Sequence, residues 1–214
     1  MLAFTPDAVA ELARSRLYGE AWLAPEDIAH SDAATAGIRP DAAMLASARP
    51  AAVLLPLVAR PEGVTLLLTQ RATSLRQHSG QIAFPGGKID REDANALAAA
   101  LREAEEEIGL ARQHVTPLGF LGPYVSSTGF RITPVVALVQ PDSPLRLNVA
   151  EVTEVFEIPL AFLMDPANHL THEREWQGAM RQYFAMPHGK RYIWGVTAGI
   201  IRMFWLRLYA AHNF

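Results

Sequence analysis

Between Ala94 and Ile108 the chain contains neither Gly nor Pro and is rich in Ala, so its backbone there has one strongly favoured option, an α-helix. Asp93 stands where an N-cap is expected, and Gly109 supplies the stop. At ~100° per residue, Leu97, Leu101, Ala104 and Ile108 fall within about 60° of arc, an apolar stripe that has to face a core. Any fold for this chain must dock that stripe. It must also accommodate what the stripe leaves on the other side.

Glu103, Glu106 and Glu107 fall roughly 180 to 280° around from the stripe, so three carboxylates gather on one flank. Like charges three and four residues apart repel by roughly 0.2–0.5 kcal/mol each when solvated. A divalent cation reverses the sign of that interaction, and hard oxygen ligands suit Mg²⁺, Mn²⁺ or Ca²⁺ in preference to Zn²⁺. A solvated acidic helix face has the same composition, so the context upstream decides between the two.

That context carries a resemblance. Arg102-Glu103, Glu106-Glu107 and Gly109-Leu110, preceded by Gly86-Gly87, resemble the Nudix box, G-x5-E-x7-R-E-U-x-E-E-x-G-U with U aliphatic. The spacing from Gly87 to Arg102 is one residue longer than that pattern, and its first Glu is missing, with Asp93 and Ala94 nearest to its place. A second motif accounts for the misfit. Leu67-Leu68-Thr69-Gln70-Arg71, followed by Leu75-Arg76-Gln77-His78-Ser79-Gly80-Gln81-Ile82-Ala83-Phe84-Pro85-Gly86-Gly87, is similar to the signature of the coenzyme A pyrophosphatase branch of the Nudix hydrolases. That branch usually has the longer spacing and an Asp-rich entry such as Asp90 and Asp93. Ala72 stands where it typically has Ser. The resemblance covers roughly residues 50–210.

Apolar runs at Ala52–Val58 and Val64–Leu68 flank Arg60-Pro61-Glu62-Gly63 and read as a hairpin. Val115–Leu121, Ile132–Val139 and Val152–Ile158 read as further strands, and an apolar helix is expected from near Tyr192 to near Tyr209. Strands on both sides of one helix, then a last helix, give an α/β sandwich with a mixed sheet. The Nudix family fold, which this resembles, is an α/β/α sandwich of that kind. Residues 1–50 read as an N-terminal extension ahead of a Nudix-like domain over 51–214. In it a short amphipathic helix from Thr5-Pro6-Asp7 docks through Val9, Leu12 and Leu17, and a linker follows with Pro25, Pro40 and Pro50.

Composition narrows the function classes. A formal net charge of −3, from 19 Lys+Arg against 22 Asp+Glu, leaves no broad basic field for nucleic acid. The absence of Cys removes disulfides and thiolate metal sites and accords with a reducing cytoplasm. The first twenty residues carry Asp7 and Glu11 and no basic start with an apolar run, so no secretory signal is read there. Arg202 and Arg207 interrupt the last apolar helix, which argues for core packing or a homodimer face and against a membrane span. Gly80 to Ile89 lacks P-loop spacing, and no Gly-x-Ser-x-Gly occurs. His169 and His172 have no metal-site context and are expected on the surface.

The resemblance implies the rest. Glu103, Glu106 and Glu107, with the Gly87 carbonyl, are the expected holders of Mg²⁺ or Mn²⁺, and Arg102 is expected to orient the carboxylates by charge-assisted hydrogen bonds. Glu151, in Asn148-Val149-Ala150-Glu151-Val152, is the candidate general base or additional ligand. Arg71 and Arg76 are candidates for the substrate's phosphates, with structural salt bridges as the alternative. Ser126, Thr128 and Gly129, in Pro123–Phe130, are candidates for a polar pocket wall, or an ordinary turn. The implied reaction is hydrolysis of coenzyme A or its thioesters to adenosine 3′,5′-bisphosphate and a 4′-phosphopantetheine product. Two alternatives stay open: another nucleoside diphosphate substrate such as ADP-ribose or a dinucleotide, and a nucleotide sensor without turnover.

Overall fold

The computed structural model describes residues 4–19, 47–74, 79–176 and 179–210. Arg76 and the linker prolines Pro25 and Pro40 lie outside them. The larger sheet is built from β1 (Arg49–Val58), β2 (Thr65–Arg71), β3 (Ile82–Ala83), β4 (Gly86–Lys88), β5 (Val115–Phe120), β6 (Tyr124–Val125), β7 (Phe130–Val139) and β8 (Val152–Pro159). β1 and β7 run parallel over their whole length, from Arg49 opposite Phe130 to Val58 opposite Val139. All other pairings are antiparallel: β2 and β4 on β1, β3 and β8 on β2, and β5 and β6 on β7.

β1 and β7 read as unbroken apolar runs because both of their faces are covered. Ala52, Leu54 and Val58 with Val135, Ala137 and Val139 face one core, while Leu55, Leu57, Ile132 and Val136 face another. Helix α2 (Ala96–Ile108) fills the first core with Ala96, Ala99, Ala100, Leu101, Ala104 and Ile108. So many alanines let the helix axis approach the sheet closely. Helix α1 (Pro6–Arg16) and helix α3 (Val196–Leu208) cover the opposite face, giving an α/β/α sandwich with a mixed sheet.

Several local expectations need correcting. α2 begins at Ala96, and its N-cap is Asn95, whose Oδ1 accepts the Ala98 N–H at 2.9 Å. Asp93 is drawn elsewhere, to the Asp90 N–H and the Arg102 guanidinium. Gly109 closes the helix in the left-handed region at φ 69°. The last helix does not start near Tyr192: Arg191–Trp194 is a strand, β11, and Gly195 at φ 63° breaks the chain before Val196. β11 joins β9 (Leu170–Trp176) and β10 (Ala179–His188) in a separate antiparallel sheet, ordered β11-β10-β9.

His169 is buried, not on the surface: its Nε2 lies 2.7 Å from the Leu163 carbonyl oxygen, and burial holds its pKa below the usual histidine value. In α1, Val9, Ala10 and Ala13 are buried in the same core as α3, with Leu17 beside them and Leu12 half-buried. The Arg16 guanidinium donates to the Leu208 carbonyl, and Arg207 returns a bond to the Arg16 carbonyl. Among the described residues no helix is long and apolar enough to cross a membrane.

Candidate active site

Two glycines bring the sheet against α2, each for its own reason. Gly86, opposite Val53 in the β1–β4 ladder, has φ 154°, and a Cβ there would sit 2.5 Å from the Ala52 carbonyl oxygen and 2.7 Å from the Val53 Cα. Gly87 has no such backbone conflict. A Cβ on it would instead meet the Glu103 carboxylate, 2.4 Å from Oε1 and 2.5 Å from Cδ. The missing side chain is the space that Glu103 occupies.

Glu107 shares an azimuth with Glu103 and Glu106 but is enclosed, so the flank is not a uniformly solvated acidic face. Its residue is only 2% exposed, because it lies two turns from Ala100 on nearly the same meridian and is roofed by β4. Its Oε2 accepts the Gly86 N–H at 3.2 Å, and Oε1 is 3.5 Å from Arg71 Nη1. Burial pushes the carboxyl pKa up to about 7, with Glu103 and Glu151 adding to the shift and the Gly86 N–H and Arg71 opposing it. Glu103, with a side chain 17% exposed, is also raised, chiefly by burial. Glu106 stays 56% exposed.

Arg102 ties this group together. Its Nη1 donates to Glu103 Oε1 at 3.1 Å and to Glu106 Oε2 at 3.0 Å, while Nε and Nη2 form a fork on the Asp93 carboxylate at 3.0 and 2.9 Å. Nη2 also reaches the Lys88 carbonyl. Asp93 is 5% exposed at its side chain, and the guanidinium holds its pKa below the ordinary carboxylate value.

Glu151 reaches the same group along the chain that follows β7. The Arg146 and Asn148 N–H groups donate to the Ile108 and Glu107 carbonyls, so this loop satisfies the open end of α2. The Asn148 amide donates to Glu151 Oε1 at 3.0 Å, and the Glu151 carbonyl accepts the Ala72 N–H at 2.7 Å.

As their side chains stand, no three carboxylate or imidazole groups among the described residues converge on a single point. Glu103 and Glu106 turn to Arg102, and Glu107 turns to Gly86 and Arg71. The donor chemistry nevertheless fits a hard divalent ion. A buried carboxyl is held up near 7 by desolvation and by two like charges, beside the half-buried Glu103 carboxylate and a glycine without a side chain to block approach. Glu103, Glu106, Glu107 and the Gly87 carbonyl are therefore the candidate holders.

A cavity of about 520 Å³ opens over the glycine pair. One wall comes from the larger sheet, with Arg71, Gly86, Gly87, Lys88, Ser126 and Thr128. Ser126 is buried, lies 2.9 Å from Thr128 Oγ1 and accepts the Phe130 N–H, while Gly129 at φ 80° closes the turn. Arg71 also carries a buried Nε with no hydrogen-bond partner among the described residues. The other wall includes Arg174, Arg181, Tyr183 and Trp194 from the small sheet. Sequence reasoning missed these four and Lys88, because His172-Glu173-Arg174-Glu175 is polar throughout and has no apolar alternation to mark a strand there.

A family model for the NUDIX domain matches residues 48–181. The chain is 46% identical over 154 residues to a protein of Escherichia coli (strain K12) named Uncharacterized Nudix hydrolase NudL, covering 72% of this chain and 80% of that one. It is likewise 46% identical over 162 residues to the protein of that name from Cronobacter sakazakii, with the same coverage of each. Among solved structures, a C. elegans Ap4A hydrolase in a binary complex superposes with a TM-score of 0.45 at 20% identity, over 52% of this chain and 80% of that one. With a domain match over more than half of its length and relatives near half identical over most of it, the chain belongs to the Nudix hydrolase family.

Proposed function

We propose that this Nudix hydrolase cleaves the pyrophosphate link of coenzyme A or its thioesters, giving adenosine 3′,5′-bisphosphate and a 4′-phosphopantetheine product, with Mg²⁺ or Mn²⁺ held by Glu103, Glu106, Glu107 and the Gly87 carbonyl. The observation that carries this reading is where the coenzyme A-like signature lies. Its described residues Arg71, Gln81, Phe84, Gly86 and Gly87 line the cavity, and Arg71 links that cavity to the buried Glu107.

A diphosphate resists water because its negative oxygens repel the nucleophile. A bound divalent ion supplies charge neutralisation on those oxygens and a water of lowered pKa. In this reading Arg71 lays its guanidinium along the phosphate oxygens, and Ser126 and Thr128 form the polar wall beside them. Arg102 keeps Glu103 and Glu106 from splaying apart. Glu151 accepts the proton of the attacking water as the new phosphorus–oxygen bond forms and the bridging oxygen leaves with the other phosphate. Residues 51–214 form the hydrolase domain, and residues 1–50 are its N-terminal extension.

The test is a panel of coenzyme A, acetyl-coenzyme A, ADP-ribose and a diadenosine polyphosphate, each incubated with Mg²⁺ or Mn²⁺, with products identified by mass. Release of adenosine 3′,5′-bisphosphate from the coenzyme A compounds is the expected result. Intact coenzyme A beside cleaved ADP-ribose overturns the reading.

A further inference from the structure

We infer that Asn148 is a positioning residue of the reaction: its side-chain amide holds the Glu151 carboxylate beside the acidic end of α2, ready for the proton of the attacking water. The inference rests on the proposed role of Glu151 and deepens it. The backbone does the first part. The Asn148 N–H donates to the Glu107 carbonyl at 2.9 Å and the Arg146 N–H to the Ile108 carbonyl at 2.8 Å, so the loop is fixed to α2 at a candidate metal holder. The Asn148 carbonyl then accepts the N–H groups of Glu151 and Val152, both at 2.9 Å, which turns the chain into β8. A backbone of almost any sequence could make these bonds. They do not require asparagine.

The side chain does. Its Oδ1 accepts the Ala150 N–H at 3.3 Å, and its Nδ2 donates to Glu151 Oε1 at 3.0 Å. Turning the amide over would set NH2 against an N–H and an oxygen against a carboxylate, so one orientation satisfies both partners. Among the described residues Nδ2 is the one hydrogen-bond donor to the Glu151 carboxylate. Glu151 is half-buried and faces the like charges of Glu103 and Glu107, so without that donor its carboxylate would turn to solvent. A neutral donor suits the task. A guanidinium would cancel the charge that draws the proton and would repel a divalent ion, whereas the amide takes Oε1, leaves Glu151 negative and leaves Oε2 for the water. The Glu151 carbonyl also accepts the Ala72 N–H at 2.7 Å, so the same turn is registered against the residue next to Arg71.

The test is a double-mutant cycle on kcat, with Asn148→Ser and Asn148→Asp each made alone and together with Glu151→Gln. Serine keeps a hydroxyl that accepts the Ala150 N–H but is too short to reach Glu151; aspartate keeps the acceptor and puts a like charge where the donor was. Glu151→Gln is expected to lower kcat by roughly 100-fold or more. Asn148→Ser should lower it by roughly tenfold and Asn148→Asp by more, each with KM within about threefold of the wild type. Added to Glu151→Gln, either change should alter kcat by less than about twofold, because Asn148 acts through Glu151 alone. Crystals of metal-free Asn148→Ser supply a readout independent of turnover: the Glu151 carboxylate should be turned away, with the bonds to the Glu107 and Ile108 carbonyls intact. Losses that multiply in the double variants, an unmoved Glu151 carboxylate, or wild-type kcat in Glu151→Gln or in both Asn148 variants overturns the inference. None of these outcomes touches the substrate reading if the wild type cleaves coenzyme A. Should coenzyme A stay intact while ADP-ribose is cut, the substrate reading falls, and the same cycle on ADP-ribose decides the role of Asn148.

Discussion

Alanine at Gly87 and at Gly86 should damage two different properties. At Gly87 the atoms nearest the new Cβ all belong to the Glu103 carboxylate, the first at 2.4 Å, whereas ordinary contact begins near 3.4 Å, so the carboxylate has to withdraw by about 1 Å. It is the far end of a flexible side chain, and the backbone at Gly87 lies outside the glycine-only region, so the fold absorbs the change. A displacement of about 1 Å in a positioned catalytic group costs on the order of 10²-fold in rate. At Gly86 the Cβ meets backbone atoms of Ala52 and Val53 at φ 154°, where nothing nearby yields. Overpacking and backbone strain there cost about 2–4 kcal/mol together, a fall in Tm of at least about 4 °C for a chain of this size. The assay is kcat on coenzyme A at saturating Mg²⁺ beside a thermal melt of each variant. Gly87→Ala should keep the wild-type Tm within about 2 °C and lose roughly 100-fold in kcat. If Gly87→Ala keeps its activity within about threefold, or melts as early as Gly86→Ala, the reasoning from Glu103 placement is wrong.

Glu107 predicts a pH dependence. Its carboxyl, raised from 4.5 to about 7, binds a proton more tightly folded than unfolded, so its contribution is present below the ordinary carboxylate value and is lost as pH rises through about 7. Urea denaturation in EDTA should show wild-type stability declining across that window by on the order of 3 kcal/mol, with Glu107→Gln flat across it and the more stable protein at pH 8. Mg²⁺ added at pH 8 should stabilise the wild type and leave Glu107→Gln nearly unmoved; the opposite ranking in the same titration removes Glu107 from the metal site. Glu106→Gln, at an exposed position, should leave Tm unchanged and lower kcat by roughly two orders of magnitude, and full activity at saturating Mg²⁺ would exclude Glu106 from the mechanism. Arg102→Gln strips the fork from the nearly buried Asp93 and should cost about 1–3 kcal/mol by denaturation, besides activity; an unchanged denaturation midpoint would show that the fork contributes nothing to the fold.

The central sheet was legible because β1, β2 and β7 are covered on both faces and therefore spell continuous apolar runs. α2 was legible because Ala-rich sequence without Gly or Pro has little else to do. The places where reading failed share a physical cause: a neighbour distant in sequence decides the outcome. The helical wheel gave Glu107 an azimuth, but only β4, reached through a two-residue strand and a glycine pair, says that this azimuth is roofed. Asp93 looks like a cap until Arg102 is seen to claim it. β9 is polar on both faces from Thr171 to Glu175, so no apolar period marks it, and the β10 run from Arg181 to Tyr183 is little better. Yet they form the second wall of the cavity, which is why Arg174 and Arg181 went unread while Arg71 and Ser126 did not.

The bonds that Arg16 exchanges with Arg207 and Leu208 have a consequence for synthesis. α1 emerges from the ribosome early, but the surface that receives it includes α3, whose residues follow some 180 positions later. β5 is made well before it and pairs with the chain just after α1 through Tyr18 and Phe120, but the part of the helix's apolar side that α3 covers waits for the end of the fold. The clasp that fastens the finished sandwich is the last part of it that translation can complete.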